Sequence, residues 1–419
     1  MGDKNGVLAM VLAGGRVDEL NVLTYYRPKS AVPFGGFARV IDFALSNLLH
    51  SGLERVAVLS QFRSFSLINH IGSGAAWDML GRYRGISILP PSSGYGNSGW
   101  YRGTADSVYQ NLDFVQYYAP EVVMVLSGDH VYKMDYQAML DYHRAKNADL
   151  TMACLRVPIN GSQRFGVAAI DDEDGETGGR VLDYDEKPAN PRFNWASMTI
   201  FCFKPRVLYE TLAANAAEDE SFEFGQDIIP RLLAAGRRVY GYKFHDYWAY
   251  TRTIEEYWQA NMDLLGPDPS IDLEAWGLRT NLEHRGIRDY APARIAAGAE
   301  ISDSLIYNGC EIEGRVEHSI LFPGVKVAPG AVVRNSIIFF NNRIGRGARL
   351  EKVISDVNST VGASSILGGP ESAVDGRALV LGWNNHLPPE TIIGEGCVIY
   401  PGQDPDKFSV QTSCGEVVR

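Results

Sequence analysis

Cysteine, basic residues and long hydrophobic runs are all in short supply in this chain. Of 419 residues only Cys154, Cys202, Cys310, Cys397 and Cys414 are cysteine. They are scattered, odd in number and without a CxxC pair. That excludes a disulfide framework or thiolate zinc site and fits reduced thiols in a cytoplasmic protein. No stretch approaches roughly 18 uninterrupted apolar residues, which excludes a spanning helix. The opening MGDKNGVLAM lacks the basic segment and apolar run of a secretory leader. Lys and Arg total 39 against 50 Asp and Glu, a net charge of −11, which argues against a nucleic-acid partner. Neither a Walker A loop nor the dinucleotide fingerprint is present. What is present is 45% hydrophobic and 21% charged, enough to exclude global disorder and to build two or three domains.

The chain changes character near residue 290. Up to about 265, short apolar runs alternate with helix-like stretches. Val7 to Ala13, Arg55 to Leu59, Glu121 to Leu126 and Ala148 to Val157 read as buried strands. Ile41 to Leu53 and Tyr136 to Lys146 have helical spacing. This pattern predicts an α/β, Rossmann-like, mostly parallel and doubly wound sheet. Such sheets bind ligands beyond the carboxyl ends of their strands, so the loops after Leu12 and Leu126 are the ones to inspect. Residues 266–292 read as a linker. From 293 the apolar residues Ile295, Ile301, Ile306, Ile312, Val316, Leu321, Val327, Val333, Ile338, Ile344, Leu350 and Ile354 recur about every six positions. That period suits a hexapeptide parallel β-helix. The repeat reads as fading after 355, leaving a C-terminal cap up to 419.

The first loop reads Leu12-Ala13-Gly14-Gly15-Arg16, and a second segment runs Arg27-Pro28-Lys29-Ser30-Ala31-Val32-Pro33-Phe34-Gly35-Gly36. Glycines after a strand let backbone N–H groups approach an anion, and Arg16, Arg27 and Lys29 can supply cations for phosphates. Alone, a strand followed by Gly-Gly is better read as a tight turn. Further motifs follow in order. WYRGTADSVYQNLD spans 100–113, LSGDHVYKMDY 126–136, DEKPANP 185–191, WASMTIF 195–201 and FGQDIIP 224–230.

Together with LAGGR at 12–16, PKSAVPFGG at 28–36 and RVIDFALSNLLHSG at 39–52, these segments resemble the bacterial and plant glucose-1-phosphate adenylyltransferases (ADP-glucose pyrophosphorylases). The likeness runs from about residue 7 to 365. It implies a GT-A type nucleotidyltransferase domain followed by a left-handed β-helix, and the reaction of ATP with glucose 1-phosphate to give ADP-glucose and pyrophosphate for glucan synthesis. It also implies Mg2+, a homo- or hetero-tetramer, allosteric control, and neither nucleic acid nor membrane as partner. Carried over position by position, Arg16, Lys29 and Asp129 are catalytic, with Asp129 also the metal ligand. Leu12, Ala13, Gly14, Gly15, Gly103, Thr104 and Ala105 hold the nucleotide. Tyr101, Gly166, Glu186, Lys187 and Ser197 hold the sugar phosphate. Arg39, Gln61 and Trp100 receive or relay an effector.

The departures from that pattern are concentrated. The resemblance expects Gly at 17 and a cation at 19, where this chain has Val17 and Glu19. A β-branched residue is the poorest choice if position 17 needs positive φ. At roughly 4–6 Å and an effective dielectric near 20, each unit charge is worth a few kcal/mol, so a reversed sign at 19 predicts weaker ATP binding. The second metal ligand is expected at 250 and a glycine at 252, where Tyr250 and Arg252 stand. Asp246 is about 13 Å away along an extended chain. Gln226 replaces a sugar-side lysine, Phe37 and Val357 replace effector cations, and Thr199 replaces a glycine. Two readings follow: an active ADP-glucose pyrophosphorylase with altered loop chemistry, or a catalytically impaired partner subunit of a hetero-oligomer. The departures by themselves favour the second, while the resemblance keeps the adenylyltransferase label. An acyltransferase β-helix is the weakest reading, because His318 stands alone.

Overall fold

A computed structural model describes all residues except 1–5, 16, 82–83, 92, 95–96, 219–220, 284–286, 288, 370–375 and 409–411. The chain divides into two compact units that cut across the boundaries expected from sequence. One comprises Met1–Gly15, Phe43–Ser64 and Ile71–Trp248, the other Arg16–Asp42, Phe65–His70 and Ala249–Arg419.

The first unit is built on a nine-stranded sheet. Strand Val7–Leu12 (VLAMVL) pairs in parallel with Arg55–Leu59 on one side and Val122–Ser127 on the other. All three are continuous apolar runs because both faces of the sheet are covered. Leu12 lies opposite Leu59 and Ser127, so the three strands end level with one another. Parallel pairing continues from Arg55–Leu59 to Gly85–Leu89 and joins Leu150–Arg156 to Val239–Phe244, but the rest of the sheet is antiparallel, so it is mixed rather than mostly parallel. Strand Trp195–Phe203 runs antiparallel to Val122–Ser127 and to Leu150–Arg156, and Gly166–Ile170 is antiparallel to Gly178–Glu186. Of these strands Gly178–Glu186 (GGRVLDYDE) alternates buried and exposed positions and so lacks a continuous apolar signature.

In the second unit, three parallel sheets rise together, one per face of a β-helix. Their ladders are Ile295–Ile312–Val327–Ile344–Val361–Leu387, Ile301–Val316–Val333–Leu350–Leu367–Ile393 and Ile306–Leu321–Ile338–Ser355–Leu381–Ile399–Val418. The sequence reading is corrected twice. Ile354 is one residue out of phase, its ladder position being taken by buried Ser355, whose hydroxyl donates to Asn342 Oδ1 at 2.8 Å. Nor does the repeat fade, because it resumes its six-residue step at Leu381, Leu387, Ile393 and Ile399. The polar residue at 355 and the long step from Leu367 to Leu381 hide the period.

Candidate functional site

The level ends of the three parallel strands gather the loops that sequence analysis selected. Beyond Leu12, the Ala13 amide donates to Leu59 O at 2.9 Å and the Gly14 carbonyl accepts from Phe62 at 3.3 Å. A Cβ on Gly14 would lie 2.9 Å from the Gln61 nitrogen, so only glycine lets these two loops approach so closely. Gly15 has open space around its Cα. Gln61 clasps Tyr101 as a strand would: Tyr101 N donates to Gln61 Oε1 at 2.7 Å and Gln61 Nε2 donates to Tyr101 O at 3.2 Å. Thus the expected nucleotide loop, the Gln61 position and the expected sugar loop form one connected structure. The Tyr101 hydroxyl donates to Leu89 O and accepts from Asn111 Nδ2, and burial raises its pKa above the ordinary value. Trp100 is 53% exposed, which rules out burial in the core as its role.

Gly103 packs its bare Cα on the Phe222 carbonyl, and buried Ala105 donates its amide to the same oxygen at 2.8 Å. Thr104 donates both its amide and its hydroxyl to Glu223 Oε2. Sequence reasoning missed Glu223, although it immediately precedes the FGQDIIP segment. Gln226, within that segment, is exposed.

Asp129 follows strand Val122–Ser127 and accepts from the Ser127 hydroxyl. The Nε2 of buried His130 lies 3.3 Å from its Oδ1. The indole N–H of Trp248 donates to His130 Nδ1 at 3.3 Å. Because an indole can only donate, His130 carries its proton on Nε2, toward the carboxylate. His130 and Trp248 were not singled out from sequence; a histidine directly after the aspartate expected to bind metal was the available signal.

Glu186 ends strand Gly178–Glu186 opposite Gly166. Its Oε2 accepts from the Tyr184 hydroxyl at 2.6 Å, and Lys187 Nζ is 3.5 Å from its Oε1. Lys187 is 53% exposed and adopts φ +45, with its amide donating to Phe165 O at 3.1 Å. A Cβ on Gly166 would sit 2.4 Å from Glu186 Oε2, and one on Gly225 only 2.1 Å away. Ser197 pairs with Cys154 at a register shift in its strand. Two residues on, Thr199 adopts φ +54, the conformation that explains why glycine is expected there.

The remaining expected residues lie in the second unit. Arg16 is outside the described residues. Val17 is extended (φ −121), so its position needs no glycine; the positive φ falls instead on Asn21, inside the 3-10 stretch Asp18–Thr24. Glu19 is not left to repel an anion, because Arg252 Nε donates to its Oε1 at 2.9 Å. The Arg252 Nη1 donates to the Tyr250 hydroxyl at 3.0 Å. Burial opposes the Arg252 charge, but its contacts with Tyr250 and Glu19 outweigh that and raise its pKa. Lys29, only 2% exposed, donates to the Tyr250 carbonyl at 2.7 Å and sits 4.7 Å above the Tyr250 ring. Arg27 is withdrawn from phosphate binding by a buried pair with Asp356, at 2.8 and 3.0 Å. Buried Arg39 donates to Ala31 O at 2.9 Å, and its amide donates to Asp42, which also meets His70 at 2.6 Å. Phe37 stacks at a tilt on Tyr307, and Val357 is buried. Asp246 is exposed.

An α/β sheet bearing these loops at its carboxyl edge, with a hexapeptide β-helix, defines a nucleotidyl transferase. Residues 8–266 match the nucleotidyl transferase family, and residues 291–381 match the GlmU-like C-terminal hexapeptide family, the left-handed β-helix. The chain is 40% identical over 400 residues to a protein named glucose-1-phosphate adenylyltransferase from Desulfitobacterium hafniense (strain Y51), covering 94% of this chain and 98% of the relative. It is also 40% identical over 387 residues to proteins of the same name from Bacillus mycoides (strain KBAB4) and Bacillus anthracis, covering 91% of this chain and 99% of each relative. This chain belongs to the glucose-1-phosphate adenylyltransferase family.

Proposed function

We propose that this chain transfers the adenylyl group of ATP to glucose 1-phosphate, forming ADP-glucose and pyrophosphate for glucan synthesis. The supporting observation is the convergence of Gly14-Gly15, the Gln61–Tyr101 clasp and Asp129 at the level ends of three adjacent parallel strands. The chemistry brings two anions together, so the chain must position them and offset their charge. The backbone of Leu12 to Gly15 cradles the phosphates, with Arg16 as an accompanying cation. Thr104, fixed by Glu223, and Ala105 hold the nucleotide loop. The exposed Lys187 ammonium takes the sugar phosphate. Glu186, aligned by Tyr184, and Ser197 accept and donate to sugar hydroxyls.

Asp129 would hold Mg2+ as a single protein carboxylate, with phosphate oxygens and water completing the shell as that ion prefers. Among the described residues no group of three or more His, Cys, Asp or Glu forms a metal cluster, which suits a site completed by substrate. When bound, the ion neutralises phosphate charge. His130 and Ser127 orient the Asp129 carboxylate. Arg39, Gln61 and Trp100 carry effector signals, and the chain works in the cytoplasm as a tetramer. Among the described residues no helix is long and apolar enough to cross a membrane.

A second reading, the impaired partner subunit, is favoured by Tyr250 standing where a second carboxylate is expected and by Lys29 lying buried beneath it. One assay separates the two. The purified chain is supplied with ATP, glucose 1-phosphate and Mg2+, and pyrophosphate release is followed. Turnover that drops about a thousandfold in Asp129→Asn at unchanged Tm supports the enzyme. Absence of turnover in the unaltered chain, restored only by a second subunit, overturns it.

A further inference from the structure

Strand Gly178–Glu186 ends in three carboxylates, Asp183, Asp185 and Glu186, of which two are already engaged. We propose that Tyr184 is the specificity-determining residue of the sugar site: it holds one oxygen of Glu186 in place and so aims the other at a hydroxyl of the hexose 1-phosphate. This rests on the adenylyl-transfer reading and names the residue that sets its choice of sugar.

Along a strand, successive side chains alternate between its two faces. Asp183 and Asp185 share one face, where Arg192 takes both: its Nη2 donates to Asp183 Oδ2 at 3.0 Å and to Asp185 Oδ2 at 2.9 Å. Glu186 shares the other face with Tyr184, whose hydroxyl donates to its Oε2 at 2.6 Å. The second oxygen, Oε1, lies 3.5 Å from Lys187 Nζ and accepts no hydrogen bond from a described residue. Glu186 is therefore the carboxylate left to read the sugar, and Oε1 is the oxygen that reads it. That oxygen stands beside the ammonium assigned to the sugar phosphate, so the hydroxyl reaching it belongs to the ring that carries the phosphate.

Two glycines from different segments make room for this contact. Gly166 lies opposite Glu186 on the neighbouring strand, and a Cβ there would stand 1.8 Å from the Tyr184 hydroxyl. Gly225, in the π-helical turn Phe224–Ile228, closes on the same pair: its Cβ would be 2.1 Å from Glu186 Oε2 and 2.9 Å from the hydroxyl. Single π turns of this kind are frequent at functional sites. The Tyr184 ring is packed in the core with Cys154, Ala168 and Phe224. Burial, and after it the Glu186 charge, pushes the phenol well above its ordinary value, so it stays a donor at neutral pH. A donor fixed in the core thus sets the position of an acceptor at the rim. A site built around a hydroxyl rejects a sugar that misplaces it, provided the acceptor cannot follow.

The test is calorimetric titration of the full chain with ADP-glucose, ADP, ADP-galactose and ADP-mannose, the last two differing from the first at one hydroxyl each. Tyr184→Phe keeps the packed ring and removes the donor. It is expected to weaken ADP-glucose about tenfold, to leave ADP within about twofold, and to cut the preference over the more strongly rejected epimer about tenfold. In a Glu186→Ala background the same change should add less than about twofold, because the oxygen it holds is gone. If Tyr184→Phe does not fold, Gly225→Ala displaces the same oxygen and supplies the comparison. An unchanged epimer preference, or equal losses for ADP and ADP-glucose, makes Tyr184 a core residue only and overturns the proposal. So does an additive loss in the Glu186→Ala background. An unaltered chain that binds ADP-glucose no more tightly than ADP overturns the proposal and the sugar site together. If the unaltered chain shows the Tyr184-dependent preference yet releases no pyrophosphate from ATP and glucose 1-phosphate, the role of Tyr184 stands and the adenylyl-transfer reading falls.

Discussion

The β-helix and the sheet differ in where they put residues at positive φ. In the β-helix these conformations fall on turns occupied by Asn335, Asn341, Asn358 and Asn384, by glycines such as Gly324, Gly330 and Gly347, and also by Asp303, His318, Lys352, Ser364 and Glu390. No described turn there uses a β-branched residue. In the sheet, at segments where family resemblance expects substrate, they fall on Lys187 and on the β-branched Thr199. The described β-helix turns thus admit several residue types at positive φ but no β-branched one, the type for which that conformation is costliest. The sheet and its loops break that preference where family resemblance places substrate, which is where strain is expected to be stored.

The largest expected effect tests the scaffold side. Leu350 is 1% exposed and lies between Val333 and Leu367 in one ladder. Leu350→Ala is expected to lower unfolding stability by about 2–5 kcal/mol, and Arg349→Ala, on the outer face of the same strand, by less than about 0.5 kcal/mol. Urea midpoints of the two variants measure the contrast; equal losses would mean the ladder is not a packed core.

Next in size is a pH effect confined to the sheet. Burial, with Lys204 and Arg144 nearby, pushes His143 down to about 4, and its Nδ1 is 2.8 Å from the Thr151 hydroxyl. The folded pKa is depressed, so the unfolded chain binds the proton more tightly. Stability is full above about 6.5 and is lost as pH falls from there toward 4, by about 2–3 kcal/mol. Hydrogen-exchange protection of strand Leu150–Arg156 should fall across that window, and His143→Gln should flatten the slope. An unchanged slope in that variant would assign the effect elsewhere.

Legibility from sequence follows the same division. The three central parallel strands, Arg55–Leu59 among them, could be read almost to the residue because burial on both faces leaves a largely apolar run, whereas the parallel-paired Gly85–Leu89 and Val239–Phe244 were not read. The six-residue period exposed the β-helix until Ser355 broke it, since hydrogen bonding to Asn342 satisfies a polar residue that periodicity counts as an error. The antiparallel strands Gly166–Ile170, Gly178–Glu186 and Trp195–Phe203 and the Glu19–Arg252 pair were not read. The first lack a continuous pattern, and the second joins residues 233 positions apart, a pairing no local signal encodes. Motif likeness pointed to Asp129, Glu186 and Lys187 as candidates but not to the groups that contact them, His130 with Trp248 behind it, and Tyr184, because orientation is a tertiary property.

Two glycine-related substitutions carry the comparison to its smaller effects. A Cβ at 166 would stand 1.8 Å from the Tyr184 hydroxyl and 2.4 Å from Glu186 Oε2, whereas one at 161 meets nothing within 4 Å. Gly166→Ala should therefore raise KM for glucose 1-phosphate about tenfold, about 1.4 kcal/mol, while Gly161→Ala should leave it unchanged. A normal KM in Gly166→Ala would remove Glu186 from the sugar site.

Thr199 gives the smallest and most direct test of stored strain. Holding a threonine at φ +54 costs on the order of 1–3 kcal/mol, and glycine there would relieve that cost. Glycine also adds about 0.5–1 kcal/mol of unfolded-chain freedom, so the net gain from Thr199→Gly should centre near 1 kcal/mol, within about 0–2.5 kcal/mol. Asparagine tolerates the same conformation without the full entropic loss, and Thr199→Asn should stabilise at least as much. Denaturant midpoints for both variants decide the matter. If both are destabilised, Thr199 is held by favourable packing and the contrast with the β-helix turns does not extend to it. If both are stabilised while kcat/KM falls, the strain at 199 serves the geometry of Ser197 in the sugar pocket.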